Sequence, residues 1–267
     1  MNRFLITLCL GSLALPALGQ AFTDDFEGYD TGQLPGSPWV DVNTRIDNPT
    51  VASPSARVVN TTGPDGEPTR AVRTAREFGT SSGILREINP AESHSLTMDV
   101  RIDRFTDAPG INWPGGIGFL QDLGAEDLNQ DPQAILYAYS DQRWHLFIKN
   151  GGANGTGIDL LLNATPTIQL AKWYTLQVDA NTETGAFSAT VYDATTNQRL
   201  GGVNHTFADW DPAVGQFDAI AAFDGDANGG GNFPGRSTFD NVKYIPAPGP
   251  ASLFLLSGLA LGARRRR

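Results

Sequence analysis

The sequence predicts an all-β protein, a sandwich of two antiparallel sheets. Three observations carry this. Apolar residues in the middle of the chain alternate with a period of two, not 3.6. Short clusters of Gly, Asn, Asp and Thr separate the alternating runs. No amphipathic stretch of ten helical residues occurs between 22 and 245. The spacing fits roughly twelve to fourteen short strands. Gly (30) and Pro (17) are both abundant among the 267 residues, as many turns require.

The chain opens with a segment of another kind. MNRFLITLCLGSLALPALGQA has a short basic start, an apolar run from Phe4 to Leu15, then Pro16 and small residues. This is the layout of a secretory signal peptide over residues 1–19, cut after Gly19, with Ala21 as the alternative. Cys9, the single cysteine, lies inside that run. The chain beyond it therefore has no disulfide, thiol chemistry or thiolate metal site.

The body, 22–245, holds the alternating runs. In SLTMDVRID, Leu96, Met98, Val100 and Ile102 share one face. Trp144, Leu146 and Ile148 share one in RWHLFIK; Tyr174, Leu176 and Val178 in WYTLQVD; Phe187, Ala189 and Val191 in AFSATVYD. Trp144 and Trp173 are thereby assigned to the core or its edge. Turns are expected at Lys149–Gly152, Asn181–Gly185 and Ala194–Asn197. Residues 46–95, rich in Pro, Thr, Ser and Arg, are the least readable stretch.

The formal net charge is −10, and five of the 19 basic residues sit in the two ends. The body keeps 14 basic against 29 acidic residues, a net charge near −15. Nucleic acid and anionic membrane both require basic surface, so neither is an expected partner. The balance fits neutral polymers, cations or simple solubility.

After Ile245 comes PAPGPASLFLLSGLALGARRRR. The prolines break regular structure. Ala251 to Ala263 would make a helix of about 20 Å, short of the roughly 30 Å hydrocarbon core. Arg264, Arg265, Arg266 and Arg267 would stay on the cytoplasmic side. A proline motif, short apolar helix and arginine cluster over 246–267 resemble the PEP-CTERM sorting signal. Pro246-Ala247-Pro248 stands where that family has Pro-Glu-Pro, which points to a variant reader. The resemblance implies an exosortase-type membrane protease and the secretion machinery as partners. It also implies export, transient inner-membrane anchoring, and a destination at the surface or matrix of a Gram-negative-type bacterium.

The ends of the body carry a second resemblance. Its opening, Asp24-Asp25-Phe26-Glu27-Gly28-Tyr29, is followed by Gly32-Gln33-Leu34-Pro35-Gly36 and Trp39. It closes on Phe239-Asp240-Asn241-Val242-Lys243-Tyr244. These resemble the concanavalin A-like lectin/glucanase superfamily, in its LamG-like jelly-roll flavour, whose first and last strands pair. The resemblance implies a jelly roll and, at Asp240 with Asp25 or Glu27, a structural calcium ion.

Catalytic motifs of that superfamily are missing. Family 16 glycosidases carry Glu-x-Asp-x-(x)-Glu on one strand, and no such run exists here. Arg70, Arg73 and Arg76 are spaced by three, which does not put them on one strand face as an alginate-lyase pattern would need. Gly-x-Ser-x-Gly and His-Glu-x-x-His are absent, and His94, His145 and His205 are scattered. The expectation is a protein that is not an enzyme.

Binding chemistry is better represented. DGDANGGGN places Asp224, Asp226 and Asn228 at positions one, three and five of a calcium-type loop. Gly235 occupies the twelfth position, where an EF-hand has Glu. Sugar binding needs flat apolar faces with polar groups beside them. Tyr137 and Tyr139 in AILYAYS, with Trp113 in a Pro/Gly-rich stretch, are the candidate platform. The sequence thus predicts a non-catalytic protein that binds or organises extracellular polysaccharide. A glycosidase or lyase of the same fold and a purely structural matrix protein are the alternatives.

Overall fold

The structure, a computed structural model, describes residues 20–42, 55–74, 81–105, 112–121, 133–150, 157–213, 215–226 and 236–247. Residues 1–19, read from the sequence as a signal peptide, and the tail beyond Ala247, with Pro248 and the four arginines, lie outside the described residues. Among the described residues, no helix is long and apolar enough to cross a membrane.

The described residues form fifteen strands. In chain order they are β1 (Phe22–Asp24), β2 (Trp39–Asp41), β3 (Ala56–Thr62), β4 (Pro68–Thr74), β5 (Ser81–Glu87), β6 (Ser93–Arg104), β7 (Asn112–Leu120) and β8 (Gln133–Ala138). Then follow β9 (Trp144–Lys149), β10 (Gly157–Leu161), β11 (Trp173–Asn181), β12 (Ala186–Asp193), β13 (Arg199–Thr206), β14 (Ala219–Asp226) and β15 (Arg236–Ala247). One sheet runs β13-β12-β11-β6-β15-β4-β3, with β1 also paired to β15. The other runs β10-β9-β8-β7-β14-β5-β2. Every named pairing is antiparallel.

The period-two runs build the layer between the sheets. Leu96, Met98, Val100 and Ile102 of β6 are fully buried, as are Leu176, Val178, Ala189 and Val191 across β11 and β12. From the facing sheet come Ile117, Phe119, Leu136, Trp144, Leu146 and Ile148. Trp144 meets Tyr174 edge-on, with ring centroids 5.4 Å apart. Trp173 sits at the rim, where its Nε1 donates to the Thr62 carbonyl at 2.8 Å.

Turn chemistry holds where it is described. Gly185 N donates to the Asn181 carbonyl at 2.9 Å, and Gly185 has φ +67. A side chain there would strike Trp210. Asn197, at φ 56, closes the turn after β12.

Two features differ from the sequence reading. The last strand runs past Ile245: Pro246 pairs with His94 and Ala247 with Ser93. Proline is tolerated there because it lies at a strand end. The second sheet is also apolar on both faces. Its outer face carries Leu85, Leu120, Ile135, Tyr137, Ala219, Ala221 and Phe223, all buried.

Candidate functional site

Two side-chain clusters gather the sequence candidates. The first lies where the ends of the body meet. β15 pairs with β6 along one edge; its other edge is shared by β4, through Thr238 and Phe239, and β1, through Val242 to Tyr244. Between these partners the register slips at Asp240–Lys243, and Asn241 takes φ 50. This bulge places Asp240, 1% exposed, beside a cavity of about 380 Å³. Asp25, Glu27, Asp65, Glu67 and Asp99 line the same cavity.

Thr69 sits between two of these carboxylates. Its Oγ1 is 2.8 Å from Glu27 Oε1 and 3.1 Å from Asp240 Oδ2. Arg70 N also donates to Glu27 Oε1 at 2.8 Å, and this bond, then that of Thr69, holds the Glu27 carboxyl below its usual range. Burial pushes Asp240 up to about 7, with the charges of Asp99 and Glu27 adding to it. A hydroxyl has one proton, so Thr69 donates to one carboxylate only. The other contact closes when Asp240 is protonated or when a cation stands in for the proton.

Asp25 is different. Its Oδ1 accepts from Glu27 N at 3.2 Å, capping its own turn. The residue that organises this opening is Asp24, which accepts from Phe26 N, Tyr29 Oη and Trp39 Nε1 at 2.9, 3.0 and 2.8 Å. Arg70 Nη1 ties the turn to β4 through the carbonyls of Glu27 and Tyr29. No three His, Asp or Glu groups among the described residues stand close enough to grip a metal by themselves. The Glu27/Asp240 pair therefore fits a hard cation only with neutral oxygens completing its shell.

The Asp224 loop reading is corrected by burial. Asp224 lies in β14, where its Oδ1 accepts from Gly115 N at 2.8 Å and Ser237 Oγ at 2.6 Å. Its Oδ2 accepts from Thr74 Oγ1 at 2.5 Å. Burial drives this carboxyl above its ordinary range. It is an interior pin joining β4, β7, β14 and β15, not a loop ligand. Gly115, at φ +65, turns its N–H toward it, and a Cβ there would meet Ile102. Asp226 ends β14 opposite Asn112, while its side chain and Asn228 lie outside the described residues.

The second cluster lies at the β8–β9 hairpin. Tyr137 and Tyr139 do approach each other, with centroids 6.1 Å apart and nearly perpendicular rings. Tyr137 is only 1% exposed and packs in the outer apolar cluster, so it is no open platform. Its phenol hydrogen-bonds Asp159, and burial drives it far above its usual value. Tyr139 is half-buried. Trp113 pairs through its backbone with Gly225, and its side chain lies outside the described residues.

Sequence reading missed His145. Its ring lies 4.9 Å from Tyr139 and 5.9 Å from Tyr137. Nδ1 is 3.1 Å from Asp159 Oδ1 and Nε2 is 3.2 Å from Asp141 Oδ2. Both carboxylates are half-exposed, at 41% and 42% of their side chains. The signal was the hairpin register, which sets Tyr137 opposite His145. The other histidines stand elsewhere. His94 is buried with Nδ1 2.9 Å from Tyr244 Oη, and burial lowers it to about 4. His205 packs on Phe207 at the sheet edge.

No family model and no curated protein matches the chain. Solved structures do. Lectin II from Ulex europaeus superposes with a TM-score of 0.50 at 8% identity, covering 85% of this chain and 97% of that one. Lectin UEA-II complexed with galactose gives 0.50 at 9%, covering 85% of this chain and 98% of that one. The alginate lyase vAL-1 from Chlorella virus gives 0.49 at 14%, over 71% of this chain and 89% of the lyase. A sialidase gives 0.41 at 12%, and this chain spans only 17% of that longer one. The lectin superpositions establish the fold, a concanavalin A-like jelly roll, and at such identity they establish nothing more.

Proposed function

We propose that this chain is an exported, non-catalytic protein that binds extracellular polysaccharide at the cell surface or in the matrix. One observation carries the reading: a half-buried tyrosine ring, Tyr139, stands beside two half-exposed carboxylates on the outer face of the seven-stranded sheet. An aromatic face takes the apolar side of a pyranose, and carboxylates accept from its hydroxyls. Acidic chemistry at the site and a body near −15 favour neutral or cationic glycans over polyanions.

The non-catalytic part rests on two features. The sequence has no Glu-x-Asp-x-(x)-Glu run on one strand. Both nitrogens of His145 face carboxylates, which leaves neither directed at a substrate.

Calcium at Glu27 and Asp240 belongs to the same proposal, as a structural ion that closes the two ends of the body together. So do an exosortase-type protease and the secretion machinery as partners of the two termini. The tail pattern supports these last two.

The experiment is a broad glycan array with the full chain, first with calcium and then with chelator. Saturable binding that is lost in Tyr139→Ala supports the reading. Release of reducing sugar or unsaturated product from a polysaccharide panel would replace it with an enzyme of the same fold. Absence of both binding and product would leave a structural matrix protein.

A further inference from the structure

His145 holds together two elements that the sheet alone joins loosely. Asp159 belongs to β10, the edge strand, which among the described residues pairs within its sheet only with β9. Asp141 belongs to the β8–β9 turn, closed by Tyr139 N to the Arg143 carbonyl at 2.9 Å and by Gln142 N to the Tyr139 carbonyl at 2.9 Å. Gln142 adopts φ 60, a strained conformation for a residue with a side chain. Asp141 Oδ1 also accepts from Arg143 N at 2.9 Å, so its carboxylate orders the turn from within.

We propose that His145 is a positioning residue whose imidazolium locks the Tyr139–Arg143 turn against the edge strand and releases the turn on losing its proton. Carboxylates accept and do not donate. Only the doubly protonated ring can donate to Asp159 and Asp141 together. A neutral ring has a single N–H, so one carboxylate then faces a nitrogen lone pair. Asp159 keeps the Tyr137 phenol as a donor and Asp141 keeps the Arg143 amide. What is lost is the bridge: a single N–H cannot tie both carboxylates, so the turn that carries Tyr139 is no longer held to the edge strand.

The titratable groups facing the ring are Asp141 and Asp159, with the phenols of Tyr137 and Tyr139 packed on it. Burial disfavours the imidazolium, but hydrogen bonds and charge from the two aspartates outweigh it and hold His145 above its usual range. The lock is closed below the ring's midpoint, which lies above the ordinary value of histidine, and opens above it. Its consequence for glycan binding rests on the function proposed above; the lock itself does not.

The test follows the His145 ring and the Arg143 amide by NMR in the full chain across the titration. We expect a ring midpoint above the ordinary 6.5 of histidine. We expect the Arg143 amide to lose about tenfold in exchange protection through that midpoint, beyond the intrinsic base catalysis of exchange. Asp141→Asn, at an exposed turn position, should lower the ring midpoint while the fold persists. His145→Gln should remove the pH dependence of both Arg143 exchange and glycan affinity. A midpoint below 6.5, or Arg143 protection that is flat through it, overturns the lock. If no glycan binds at all, the carbohydrate reading fails, and the ring and amide measurements still decide the lock.

Discussion

Glu27 and Asp240, from opposite ends of the body, meet on one hydroxyl: Thr69 Oγ1 lies 2.8 Å from the first and 3.1 Å from the second. The pair is where the chain closes on itself, and it is chemically unfinished without a proton or a cation. With Asp240 at about 7 in the fold and an ordinary 3.8 unfolded, the folded state holds the extra proton. This contribution is complete below the unfolded value and is lost as pH rises from there through about 7. Calcium should compensate above that point. We expect the melting temperature above pH 7 to rise by at least about 3 °C on adding calcium and to fall back with chelator. Asp240→Asn should abolish the calcium response.

His94 works in the opposite sense. It is neutral in the fold, lowered to about 4 by burial, while the unfolded chain protonates near 6.5. Its share of stability is present above the unfolded value and is lost as pH falls through about 4. In Asp240→Asn, where the opposing Asp240 proton is gone, denaturant midpoints taken between pH 7 and pH 4 should therefore decline. His94→Leu should flatten that decline and cost about 1–3 kcal/mol at neutral pH by stranding the Tyr244 hydroxyl.

Asp224 pins the interior. Asp224→Ala would leave Ser237 Oγ and Gly115 N without this acceptor, and Thr74 Oγ1 with the Ser237 carbonyl at 3.2 Å in its place. A loss of about 2–4 kcal/mol in unfolding free energy is expected, with the calcium response unchanged. A calcium response lost together with Asp224 would return it to the metal site.

Core and surface aromatics should separate cleanly. Trp144→Ala empties a fully buried position and should cost about 3–5 kcal/mol, read from denaturant unfolding. Tyr139→Ala, at a half-buried hairpin position, should cost about 1 kcal/mol and remove glycan binding.

The sequence by itself determined the layers. Alternation at Leu96–Ile102, Tyr174–Val178 and Phe187–Val191 needs only strands with one face against a core, and each of these residues is buried. The resemblance at the two ends likewise anticipated β1 beside β15. Only the tertiary structure decided which faces water reaches. Alternation at Tyr137 and Tyr139 looks the same whether a strand borders solvent or a second apolar cluster, and here the cluster wins at Tyr137. Asp224 reads as a loop acid until Thr74, Gly115 and Ser237, distant in the chain, converge on it. The grip of His145 on Asp141 and Asp159 joins a turn to an edge strand through register, and register follows from long-range strand order that local periodicity does not encode.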